Sequence, residues 1–174
     1  PHLKELNHLK RLMGTTNLFI LGRKSKFDLS VQRALVSSVC EQSPDLVLIT
    51  GDFTAQALDS EFALAHKELE PVLNRFPTRL IPGNHDIYTN ADKNRSTMRR
   101  YFGPYMPKDL CLYEEFGDVG VLLMDTCKPD LLLRGHADES QFGHATQMLS
   151  QAHSNFVFLC IHYPLRNRHG QRYG

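Results

Sequence analysis

The sequence predicts an α/β fold in a single domain, residues 1–174, and two observations carry that prediction. Three predominantly apolar stretches of strand length recur along the chain, and segments of helical periodicity lie between them. Polar residues that can bind a metal ion or move a proton follow each apolar stretch directly. A length of 174 residues and a hydrophobic content of 41% suit one domain with a full core.

The composition excludes several classes of partner. The formal net charge of +1 gives no reason to expect nucleic acid or an anionic membrane as partner. No stretch is long and apolar enough to span a bilayer, and no signal-peptide pattern is present. The cysteines show no CxxC spacing and lie in or beside apolar runs, which predicts free thiols in a reducing compartment and a cytoplasmic location. They are Cys40, Cys111, Cys127 and Cys160.

The first half of the chain predicts two helices that alternate with two strands. One helix starts after a cap at Asp28 and ends before Pro44, and a second starts at a cap at Asp59. Residues 46–49 are continuously apolar, as in a strand covered on both faces, and residues 78–81 form the next strand. The predicted apolar helix faces are Leu29, Ala34, Leu35 and Val39, then Phe62, Ala65, Leu69, Val72 and Leu73.

The strand–helix–strand order predicts a parallel, right-handed unit. Asp52 and the cluster 83–86, which follow its two strands, therefore fall on one edge of one sheet. Pro71 lies within the intervening helix and predicts a kink or break near Glu70, because proline has no amide proton for the helical ladder.

The second half predicts two more helices, over residues 90–102 and 141–152. Between them, residues 111–116 and 119–124 flank Gly117-Asp118 and indicate a hairpin. Residues 156–161 form another buried strand, which ends at His162. We therefore expect Asp52, the cluster 83–86 and His162 to meet at one rim of a buried sheet.

These residue types favour metal chemistry. A carboxylate, a carboxamide oxygen and an imidazole, from Asp52, Asn84 and His162, suit a divalent ion such as Mn, Fe or Zn. One carboxylate can also bridge two ions about 3.5–4 Å apart, which clamps both oxygens of a phosphate ester during displacement. The alternative is purely local: Gly-Asn and His-Asp are common in turns, Asp52 can cap a helix, and His162 can close a strand. Neither GxGxxG nor GxxxxGK[ST] is present.

Gly51-Asp52, then Gly83-Asn84-His85-Asp86, then His162 after an apolar strand resembles the calcineurin-like metallophosphoesterase family over residues 28–165. The resemblance implies an αββα sandwich of mixed sheets flanked by helices, with two divalent metal ions (Mn, Fe or Zn). It implies Asp52 as the bridging carboxylate and Asn84 and His162 as ligands of one ion, with Asn84 also holding the phosphate. A metal-bound hydroxide would attack phosphorus in line.

The resemblance also implies that His85 is the general acid and that Asp86 orients His85 or its loop. Two family motifs are incomplete here. An Asp before Pro1 would complete an Asp-x-His motif, which makes His2 a candidate metal ligand, as against a terminal histidine without a role. A Gly-His-x-His motif is expected after His162 and does not occur there. We therefore expect a domain truncated at both ends, and these 174 residues alone to be inactive.

The predicted function is metal-dependent hydrolysis of a small-molecule phosphomonoester or phosphodiester. The alternative is a catalytically inactive scaffold or binding module of the same fold. The presence of His85 beside Asn84 favours the enzyme, because a scaffold has no use for a proton donor at that position.

Overall fold

The structure is a computed structural model, and it describes residues 29–129, 135–166 and 169–171. The predicted cap Asp28 and the candidate ligand His2 lie outside these residues. The elements in chain order are α1 Leu29–Gln42, β1 Val47–Ile49, α2 Asp59–Leu73, β2 Thr78–Leu80, α3 Ala91–Phe102, a 3₁₀ turn Gly103–Tyr105, β3 Cys111–Phe116, β4 Val119–Met124, α4 Glu139–Ser150 and β5 Phe156–Cys160.

The strands form two sheets. β1 and β2 pair in parallel, with Leu48 opposite Arg79, which confirms the predicted strand–helix–strand unit. β3 and β4 form the predicted antiparallel hairpin, and β5 pairs in parallel with β4. The expectation that all three strand ends share one sheet was therefore wrong. His162 follows a strand of the second sheet, because the hairpin offers β5 a free edge to pair with.

Alternating side chains build four layers. Phe62 of α2, Phe102 of α3 and Leu80 of β2 belong to the core on the helical side of the first sheet. The core between the sheets contains Ile81, Val121, Leu123 and Cys160. Alternate residues of β3 and β4 pack with α4, through Cys111, Leu122, Met124 and Ala145. This order of layers confirms the αββα arrangement with helices on both outer faces.

Helix α2 differs from its prediction at both ends. The prediction was a kink or break near Glu70; the helix continues through Pro71, which excludes the break. Pro71 lies in the last turn, where the lost amide costs a single ladder bond, and the N–H of Asn74 still reaches Glu70 O at 3.0 Å. At the other end Leu58 occupies the N-cap position. The predicted cap Asp59 instead pairs with Arg100.

Burial also differs from the prediction in α1 and β5. The buried side chain of α1 is Val36, whereas Ala34 and Leu35 are exposed, because α1 packs against α2 along one narrow stripe. β5 was expected to be buried, yet Phe156 and Phe158 are 57% and 50% exposed, because among the described strands β5 is an edge strand that pairs with β4 alone. None of the helices in the described ranges is long and apolar enough to cross a membrane.

Candidate metal centre

Two loops cross at the ends of β1 and β2, and we call them the loop pair: residues 51–58 and residues 83–88. A Cβ atom on Gly51 would overlap the backbone of Gly83, and one on Gly83 would overlap Asp52. Gly51 also has φ of +97°, a conformation that side chains disfavour. Glycine at both positions is therefore what allows the two loops to touch.

A buried carboxylate joins the loops. Asp86 Oδ2 accepts hydrogen bonds from the backbone N–H groups of Asp52 (2.8 Å), Gly83 (2.9 Å) and Phe53 (3.3 Å). Asp86 Oδ1 accepts from the N–H and the hydroxyl of Thr54, both at 3.0 Å. Burial raises the pKa of Asp86 to about 6, against these donors, which favour the ionised form. Asp86 thus contacts the loop backbone rather than the His85 ring.

The structure brings the three predicted ligands together. His162 Nε2 lies 2.9 Å from Asn84 Oδ1 and 3.6 Å from Asp52 Oδ1. The other ring nitrogen of His162, Nδ1, lies 2.7 Å from the carbonyl oxygen of Thr50. The side chains therefore converge on one point although they come from two sheets.

The hydrogen-bond chemistry of this point is compatible with a bound cation. A carbonyl oxygen can only accept, so Thr50 fixes the proton of His162 on Nδ1. In the neutral ring the Nε2 lone pair then faces the oxygens of Asn84 and Asp52, and three electron-rich atoms repel one another. Donors that each lie about 2.1 Å from one ion are separated by about 3.0–3.4 Å, close to the spacings found here. The donor set therefore fits a divalent ion.

The described residues would supply only part of a metal site. Within them, no group of three or more His, Cys, Asp or Glu side chains is placed to hold a metal ion. The three side chains that converge here are one carboxylate, one imidazole and one carboxamide. The fourth candidate, His2, lies outside the described residues. A second ion would need donors from beyond these three side chains.

His85 is held by one backbone and one side-chain oxygen of the opposite loop. Its ring Nδ1 lies 2.9 Å from Ala55 O, and its own N–H donates to Asp52 Oδ1 at 3.1 Å. The ring stacks on Tyr88, with the centroids 5.9 Å apart and the planes 12° apart. Because the carbonyl holds the proton on Nδ1, Nε2 is the ring nitrogen that can exchange a proton with a substrate.

Sequence reasoning missed two residues that organise the first loop, Thr54 and Glu61. In this loop Asp86 accepts the N–H groups of positions 52–54. The N–H groups at positions 55, 56 and 58 donate to the carboxylate of Glu61 at 3.4, 3.0 and 3.0 Å. The N–H at position 57 donates to Thr54 Oγ1 at 3.1 Å. An acid three residues after the N-cap is a known helix-start pattern and could have indicated Glu61.

Residues after β4 support the second loop from the other sheet. The buried thiol of Cys127 donates to Pro82 O at 3.3 Å, just before the predicted motif. Burial raises the pKa of this thiol, which keeps the proton that the bond needs. Asp125 accepts the Cys127 N–H at 2.9 Å and forms an ion pair with Arg95 of α3 at 2.7 Å. Position along the chain gave no signal for this contact.

A comparison with known proteins identifies the family to which this chain belongs. No curated protein shows a significant match to this chain. The sequence model described as calcineurin-like phosphoesterase matches residues 25–173, which include every element described above. The chain therefore belongs to the calcineurin-like phosphoesterase family, and its general function is that of a phosphoesterase.

Proposed function

We propose that this protein hydrolyses a phosphomonoester or a phosphodiester with the help of two divalent ions, for which Mn, Fe and Zn are the candidates. The observation that supports the proposal most directly is the convergence of Asp52 Oδ1, Asn84 Oδ1 and His162 Nε2 on one point. Asp52 and His162 would hold one ion together with Asn84, and Asp52 would also reach the second.

The backbone of the first loop gives independent support for a role of cations. All seven N–H groups from position 52 to position 58 already donate to side chains of the protein. None of them is left to bind the oxygens of a phosphate, as glycine-rich phosphate loops do. The negative charge of the substrate therefore has to be met by other groups.

The residues of the chain would divide the work as follows. Bound divalent ions would supply positive charge and lower the pKa of a coordinated water. Asn84 would orient the phosphate, and His85 would give a proton from Nε2 to the departing oxygen. Asp86 would hold both loops in place without touching the substrate, since its carboxylate is fully buried.

The substrate would be a small phosphate ester rather than nucleic acid, because the net charge is +1 and gives no basic surface excess. We keep the proposal of a reducing, cytoplasmic location. Its support is that the four cysteines are free thiols in the structure, three of them buried.

The test is metal-dependent turnover by the intact protein. We expect hydrolysis of p-nitrophenyl phosphate or bis(p-nitrophenyl) phosphate with Mn, loss of turnover after chelation, and recovery when Mn is restored. Asp52→Asn is expected to lower kcat/KM by about 10³-fold, because it removes a charge worth several kcal/mol at the metal site.

His144→Ala is the matched control, since His144 is an exposed histidine of α4. It is expected to leave turnover unchanged. Unaltered turnover in Asp52→Asn would contradict the role of this carboxylate. Metal binding by calorimetry without turnover of either ester would instead support the inactive binding module.

A further inference from the structure

We propose that Glu61 is a positioning residue for His85 and acts on it through a single peptide group. This inference rests on the proposed function, because it concerns how the proton donor of that reaction is aimed. Glu61 lies in the first turn of α2 and contacts neither His85 nor the three predicted metal ligands through a hydrogen bond in the described residues.

The peptide group between Ala55 and Gln56 links the two side chains. The N–H of Gln56 donates to Glu61 Oε2 at 3.0 Å, and the carbonyl oxygen of Ala55 lies 2.9 Å from His85 Nδ1. These two groups belong to the same planar trans unit, in which N–H and C=O point in opposite directions. Fixing the N–H at Glu61 therefore fixes the direction in which the carbonyl meets the imidazole ring.

Glu61 holds this peptide from more than one side. Its carboxylate also accepts the N–H groups of Ala55 and Leu58, so the preceding peptide and the peptide two positions further on are held by the same side chain. The loop needs this restraint because Asp52 and Ala57 both have positive φ, at 62° and 55°, which is unfavourable for residues with a side chain.

The consequence for proton donation is that the orientation of His85 Nε2 is fixed. With Nδ1 bonded to Ala55 O and the ring stacked on Tyr88, Nε2 has one direction in which to present its proton. A loop freed from Glu61 would let this carbonyl turn away, and the ring would sample other orientations. Proton donation depends on alignment with the departing oxygen, so it would weaken first for esters that need a proton most.

The kinetic test compares leaving groups. Glu61→Ala is expected to lower kcat/KM by about tenfold for phenyl phosphate and by about twofold for 2,4-dinitrophenyl phosphate, whose departing phenolate needs little protonation. Glu61→Gln keeps an oxygen that can accept the Gln56 N–H, so it should return most of the loss. Asp59→Ala is the control, because it removes an acid from the same helical turn without altering the loop contacts.

A double-mutant cycle separates positioning from general weakening. In a His85→Ala background, Glu61→Ala is expected to cause less than about a twofold further loss, because its effect passes through the missing ring. Equal losses for the two esters, a full additional loss in the His85→Ala background, or a Glu61→Gln variant as selective as Glu61→Ala would each overturn the inference.

A spectroscopic test works without any turnover. In protein with ¹⁵N-labelled histidine, we expect a solvent-protected Nδ1–H signal of His85, assigned by its loss in His85→Ala. It should disappear in Glu61→Ala and persist in Asp59→Ala. Persistence in Glu61→Ala would overturn the inference. If the wild-type protein hydrolyses no ester, the proposed function fails, and this signal alone decides the role of Glu61.

Discussion

The two parts of the candidate site are held in opposite ways. The loop pair is interlocked through the buried carboxylate of Asp86 and seven satisfied N–H groups, whereas His162 follows an edge strand with half-exposed phenylalanines. His162 reaches the loop pair through Thr50 O and the Asn84 side chain. The loop pair is thus held together by hydrogen bonds to the protein's own side chains. A bound ion would add a link from the loop pair to the second sheet.

The largest effect is expected from breaking the loop pair itself. Asp86→Asn would place an amide donor against backbone donors, for instance those of Asp52 and Thr54. We expect the free energy of unfolding at pH 7 to fall by about 3 kcal/mol, since buried donors would lose their acceptor. Urea unfolding measures this. A wild-type midpoint would show that the loops do not depend on the carboxylate.

The next largest effect is expected where His162 links the second sheet to the loop pair. His162→Ala is expected to weaken Mn binding by on the order of 100-fold, because it removes a donor from the converging set. Wild-type protein should gain thermal stability with rising Mn, and the variant should gain far less. Without metal, we expect the two to differ by less than about 1 kcal/mol. A large loss in the metal-free state would mean that β5 is anchored by His162 itself.

A smaller effect distinguishes the central strand β4 from its neighbour β5 in the second sheet. Val121 and Phe158 are neighbours in the register of β4 and β5, yet Val121 is 0% exposed and Phe158 is 50% exposed. Val121→Ala is expected to cost about 2 kcal/mol, and the larger truncation Phe158→Ala to cost less. Chemical unfolding of both variants tests the order. The reverse order would indicate that another surface covers Phe158.

The smallest effect is a pH dependence near the start of β5. The N–H of His153, followed by the hydroxyl of Tyr113, lowers the pKa of Glu115 below its ordinary value of 4.5. A lowered pKa stabilises the fold above the ordinary value, and the contribution disappears as pH falls through the lowered one. Glu115→Gln should therefore unfold at lower urea than wild type at pH 7, and the gap should close as the pH falls below the ordinary value of 4.5. A constant gap would exclude ionisation as its source.

Much of the fold could be predicted because its signals are local. The apolar runs before Asp52 and Gly83 predicted a parallel pair, and Gly117-Asp118 predicted the hairpin that the structure contains. Burial could not be predicted in the same way. Residues 156–161 are as apolar as 46–49, but β5 lies at an edge, and only its pairing partners decide how much of it is covered.

The sequence predicted the side chains of the candidate site but not the groups that position them. Asp52, Asn84 and His162 are chemically conspicuous after apolar strands, and the structure brings their donor atoms together. Glu61 has only the general signal of an acid in the first helical turn, which is common, and the Ala55 carbonyl has none because every residue has a carbonyl. Their role depends on the orientation of the peptide group between Ala55 and Gln56.

The sequence by itself determined the order of strands and helices, the family, and the residue types available for metal chemistry. Periodicity, glycine positions and a four-residue motif are local properties of the sequence, so they can be recognised without knowledge of the fold. Only the tertiary structure decided that His162 arrives from a second sheet and that both site histidines are held through Nδ1 by carbonyls of the segment 50–55. Such contacts join atoms far apart in the chain. The pairing of β1 with β2 sets the distance from His85 to Ala55, and the packing of the two sheets sets the distance from His162 to Thr50.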